Sequence, residues 1–143
     1  MSSAQAVITA ILFVWLGMVL AISFLEAPLK FRAPQVTLPI GLGIGRMVFR
    51  ALNTIEVVFA VVIVVALLFA PYGGVSVAAV IAVLMLAGQL LFVRPGLTRR
   101  SDAVLAGADA PRSNAHYAYV ALEVIKAIAL LVGGILVLTD AVV

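Results

Sequence analysis

Cysteine is absent from this chain, and histidine and tryptophan occur once each. Without cysteine there are no disulfides, no thiolate metal sites and no thiol nucleophile, and a single imidazole cannot ligate a haem from both sides. Charge is scarce as well. Only 10% of the 143 residues are Asp, Glu, Lys or Arg, against about 25% in an ordinary soluble domain. The remainder is apolar, with 66% hydrophobic residues and a mean hydropathy of +1.32. Such a composition excludes a soluble globular domain and places the chain in a lipid bilayer.

A spanning helix needs about 20 mostly apolar residues to cross about 30 Å of hydrocarbon at a rise of about 1.5 Å per residue. Runs of that kind cover approximately residues 4–25, 44–70, 75–93 and 117–138. The expected fold is therefore all-α, a four-helix transmembrane bundle forming one integral membrane domain over residues 1–143. No Lys or Arg precedes the first run, and it exceeds the apolar core of a signal peptide, so it reads as a retained helix.

Basic residues then set the orientation. Lys30, Arg32, Arg46 and Arg50 flank the first connection, and Arg94, Arg99, Arg100 and Arg112 flank the third. The positive-inside rule puts both connections in the cytoplasm and both termini on the other side, as in a multi-pass protein of the plasma (inner) membrane. The isoelectric point near 9.8 reflects this asymmetry, and no nucleic-acid partner is expected. The expected partners are the bilayer itself and either further copies of the chain or a larger membrane complex.

Prolines and glycines punctuate the runs. The first helix is expected to leave the membrane near Pro28, Pro39 to close a loop over residues 35–40, and Gly41, Gly43 and Gly45 to serve as a hinge or close-packing lead into the second helix. Pro71-Tyr72-Gly73-Gly74 reads as a turn, and Pro95 as the exit of the third helix. Residues 98–114 read as a solvated, orienting loop, with Ser113 or Asn114 capping the fourth helix. Gly17 with Ala21, Ala78 with Ala82, and Ala129 with Gly133 are small pairs four apart that let helices approach.

Two polar rows interrupt the apolar runs. Arg46, Arg50, Asn53 and Glu56 are spaced 4, 3, 3, and His116, Tyr119, Glu123 and Lys126 are spaced 3, 4, 3. Each spacing reads as one helix face. Ionised side chains are costly at membrane depth, about 2.5–3.5 kcal/mol each, so the rows are expected to face one another and pair. Glu56 is expected to pair with Lys126, and Glu123 with Arg50 or Lys126, while Asn53, Tyr119 and Gln89 complete the hydrogen bonding. Together these nine residues are expected to line a cavity between helices 2 and 4. No metal or cofactor is expected; His116 reads as a hydrogen-bonding or pH-titrating interfacial residue, and Trp15 as a packing residue.

Trp15-Leu16-Gly17, Phe24, Ala27-Pro28-Leu29, Phe31, Gly45, Phe49, Pro95 and His116 resemble the four-helix family of unknown function that includes the eukaryotic transmembrane protein 205. That resemblance implies membrane residence and no particular chemistry. Arg46 and Asn53-Thr54-Ile55-Glu56 also resemble the Arg, Asn-x-x-Glu signature of the membrane-associated proteins of eicosanoid and glutathione metabolism. There the motif binds glutathione between protomers of a trimer. In that family the nearer arginine lies four residues before the asparagine, whereas Arg50 lies three before Asn53.

Three functions follow from this sequence. The polar rows could bind or transport a small polar or amphiphilic solute, with acid beside base suited to proton coupling. They could equally lock an accessory or structural subunit of a larger complex. The third is a glutathione-dependent transferase, in which Arg46, Arg50, Asn53 and Glu56 would hold the anionic cosubstrate and Tyr119 or an arginine would polarise the sulfur. Binding is favoured over catalysis.

Overall fold

Ser2 starts the first helix. Its hydroxyl accepts the Gln5 amide N–H at 3.1 Å while its own N–H donates to Gln5 Oε1 at 2.8 Å, a reciprocal capping box. From there the chain, described by a computed structural model over residues 2–69 and 73–142, is helical except in short connections. Helix α1 covers Ser3–Lys30, α2 Leu38–Phe69, α3 Gly73–Leu105 and α4 Asn114–Val142. All are long and apolar enough to cross a membrane, and no strand occurs among the described residues. Ala70, Pro71 and Tyr72, where a helix end and turn are expected, lie outside the described residues; Gly73 and Gly74 already belong to α3.

Each helix runs further than the apolar count implies, because the prolines do not end helices here. Pro28 and Pro95 each follow a segment of wider, π-type turns, Leu20–Glu26 in α1 and Gln89–Val93 in α3. A proline ring collides with the carbonyl four residues back and donates no N–H, and a wider turn relieves both problems without breaking the helix. The chain therefore continues to Lys30 and to Leu105. Likewise Pro39 sits in the first turn of α2, where its missing N–H is harmless, so the residues expected as a loop up to Ile40 are partly helical. Within that helix Gly41 is buried against the Phe31 ring, which leaves no space for a Cβ. The connection between α1 and α2 turns at Gln35, at φ 68°, and α3 ends ahead of Gly107, at φ 96°. Residues 98–105, expected as loop, form the last turns of α3. Ser113 accepts the His116 N–H through its carbonyl at 3.0 Å, and its hydroxyl makes no capping bond.

Around the bundle the helices follow chain order, each packed on its two sequence neighbours, with α4 closing against α1. Helices α2 and α4 consequently face each other across the diagonal. The core is built from Ile8, Leu12, Trp15 and Val19 of α1, Ile63 of α2, Val75, Ala79, Ala82 and Leu86 of α3, and Leu130 of α4. Small residues bring α3 and α4 together as expected: a Cβ on Gly133 would stand 3.3 Å from that of Ala78. Gly17 and Ala21 do not serve this role. Both are exposed, and among the described residues nothing approaches within 4 Å of the space beside Gly17.

Candidate functional site

The polar residues of the sequence separate into two sites. The first is a closed cluster at the centre. Lys126, fully buried, donates hydrogen bonds to Glu56 and, at 2.9 Å, to Gln89 Oε1, and forms an ion pair with Glu123 at 2.6 Å. Both expected acid–base pairs form, with Lys126 rather than Arg50 as the partner of Glu123. Trp15 Nε1–H donates to Glu56 Oε2 at 2.7 Å, and the Ser23 hydroxyl to Glu123 Oε2 at 2.9 Å. Gln89 Nε2 completes the set on the Tyr119 carbonyl at 3.3 Å. Every helix thus sends a polar group to the middle. The cluster holds two carboxylates and one ammonium, with Glu56, Gln89 and Lys126 at 0% exposure and Glu123 at 1%.

Trp15 and Ser23 were not legible as members. Trp15 reads as packing because its ring does pack, 6.3 Å from that of Phe59; the signal for its second role is an indole N–H in mid-helix, which needs an acceptor when buried. Ser23 lies within the π-type segment of α1, so its direction does not follow from α-helical spacing. Tyr119 contributes its main-chain carbonyl to the cluster, while its ring meets Phe49 edge-on at 5.9 Å and lies 5.9 Å from the Arg94 guanidinium. His116 takes no part. It is half-buried with its ring against Tyr117, 5.5 Å between centroids.

The second site lies between α2 and α3, not between α2 and α4. A recess of about 350 Å³ is lined by Arg46, Arg50, Asn53, Thr54 and Val57 of α2 and by Leu90, Arg94 and Thr98 of α3. Arg46 reaches across to Asp102 at 2.8 Å, tying the two helices at this end. Asn53 borders the recess at 6% exposure, and neither its amide nitrogen nor its oxygen has a hydrogen-bond partner. Arg94, Thr98 and Asp102 are the additional contributors. Their spacing of four is a helix face that becomes visible once α3 continues past Pro95.

In the cluster Lys126 answers one of two carboxylate charges, and Glu56 Oε1 and Glu123 Oε1 accept no hydrogen bond, yet the groups are enclosed and tie the four helices in register. Guanidiniums beside an unsatisfied amide form instead an open cationic recess, whose chemistry suits an anion. No protein-family model, curated protein or solved structure matches the chain, so the functional reading rests on this geometry.

Proposed function

We propose that this chain is a multi-pass plasma (inner) membrane protein that binds a small polar or amphiphilic solute in the recess between α2 and α3. The observation that carries the reading is Asn53: a buried amide with all its hydrogen bonds unmade, beside the guanidiniums of Arg46, Arg50 and Arg94. An unmade buried polar group costs about 1–3 kcal/mol, which a ligand supplying the bond recovers. With the basic connections in the cytoplasm and the termini opposite, the recess opens toward the cytoplasmic leaflet. The central cluster acts as a lock that holds the four helices in register. Because it fills the middle of the bundle, carriage across the membrane would require an assembly of several copies. The resemblance to the family that includes transmembrane protein 205 adds membrane residence to this reading and no chemistry.

An accessory role within a larger complex is supported by the outward-facing Gly17 and Ala21, which leave room for another helix at that surface. The glutathione reading has less support, since Glu56, one of its cosubstrate ligands, is occupied by Trp15 and Lys126.

Thermal unfolding of the detergent-solubilised protein tests the proposal with glutathione, laurate, inorganic phosphate and phosphatidate as probes. A ligand at about 100 times its Kd stabilises by about 2.7 kcal/mol. At least one probe is expected to raise the midpoint in the wild type and not in the Arg50→Gln, Arg94→Gln double variant. No shift with any probe would overturn the reading, and a shift with glutathione alone would favour the transferase.

A further inference from the structure

Arg46, Arg50 and Thr54 border two depressions at once. On one side is the polar recess with Asn53 and Arg94. On the other is a larger groove whose further lining is Gly43, Met47, Ala51, Ile55 and Leu105, all apolar. A cationic ridge between a polar pocket and an apolar groove matches a molecule with an anionic head and a hydrocarbon chain.

Charge narrows the head. Arg46, Arg50 and Arg94 bring three positive charges, and Asp102 at 2.8 Å from Arg46 answers one. Two remain. A phosphomonoester carries about 1.5–2 negative charges near neutral pH and offers three acceptor oxygens. A carboxylate or a phosphodiester carries one charge and would leave a guanidinium unanswered. Forked guanidiniums match phosphate oxygens in pairs, and the Asn53 amide adds a neutral donor at the buried end of the recess.

Resting on the solute-binding reading, we infer that the recess binds the phosphomonoester head of an amphiphile, whose hydrocarbon chain lies along the groove beside Met47 and Ile55. The same head chemistry exists in free phosphate, and the groove selects the lipid form.

Native mass spectrometry from detergent micelles tests the inference, with dioleoyl phosphatidate, dioleoyl phosphatidylglycerol, oleate and inorganic phosphate as probes. Phosphatidate is expected to be retained about tenfold better than phosphatidylglycerol or oleate, and Arg50→Gln or Arg94→Gln to lower its retention about tenfold or more. Arg112→Gln, exposed and outside the recess, serves as the control and is expected to bind like the wild type. Unchanged helicity and Trp15 emission identify variants that fold. Equal retention of phosphatidylglycerol, or binding that survives both recess substitutions, would overturn the inference. Protection by inorganic phosphate as strong as by phosphatidate would overturn its lipid part. Retention of oleate alone, lost with Arg50 and Arg94, would overturn the phosphomonoester and leave the solute-binding reading standing.

Discussion

Replacing Lys126 by methionine keeps the length of the side chain and removes its charge and its three donors. Glu56 and Glu123 then face each other without a counter-ion in a core that admits no solvent to either. Removing one partner of a buried ion pair costs about 3–5 kcal/mol. Glu56→Gln perturbs the same cluster differently. The amide oxygen can still accept from Trp15 and from Lys126, and Lys126 keeps Glu123 at 2.6 Å and Gln89 at 2.9 Å. Only the difference between charge-assisted and neutral hydrogen bonds is lost, about 1 kcal/mol. The expected asymmetry is therefore about 2–4 kcal/mol between two substitutions at one contact. Trp15 is the only tryptophan and hydrogen-bonds the cluster directly, so its emission during equilibrium unfolding in mixed micelles of denaturing and mild detergent measures the effect. Adding Glu56→Gln and Glu123→Gln to Lys126→Met should restore most of the loss, because a neutral cluster needs no counter-ion. If Lys126→Met costs no more than Glu56→Gln, the buried charges do not hold the centre together and the reasoning fails.

Further outcomes follow from other contacts. Trp15→Phe should cost about 1–3 kcal/mol by leaving Glu56 one donor short, read by circular dichroism in the same detergent titration. Gly133→Val should cost about 1–3 kcal/mol through overpacking against Ala78 and Leu12, whereas Gly17→Val, with open space beside it, should leave the unfolding midpoint unchanged. Asp102→Asn should change stability by less than about 1 kcal/mol, since the Arg46–Asp102 pair is exposed at 39% and 58%. Because the chain has no cysteine, Ala108→Cys should react with a membrane-impermeant maleimide only from the cytoplasmic face, and Asp140→Cys only from the opposite one.

The number of helices, their apolar runs and the Glu56–Lys126 pair were legible because hydropathy and charge scarcity impose them. Helix ends were not, since a proline's effect depends on whether the preceding turns widen, and nothing in Ala27-Pro28 or Arg94-Pro95 distinguishes a wide turn from an exit. Taking Pro95 as an exit puts Thr98 and Asp102 in a loop and hides the helix face that they share with Arg94. The rows also concealed a rotation. At about 100° per residue a step of four advances about 40° and a step of three falls back about 60°, so Glu56 lies about 120° round α2 from Arg50, with Asn53 between them. Arg50 therefore borders the recess, Glu56 enters the cluster, and Asn53 is buried at the boundary of both sites. The corresponding step on α4 turns Lys126 about 80° away from His116, which puts the lysine in the core and leaves the histidine beside Tyr117. A spacing of 4, 3, 3 thus specifies a slow spiral rather than a face. In a bundle whose partners stand on both sides of α2, that spiral assigns one run of polar residues to an enclosed central cluster and an open cationic recess.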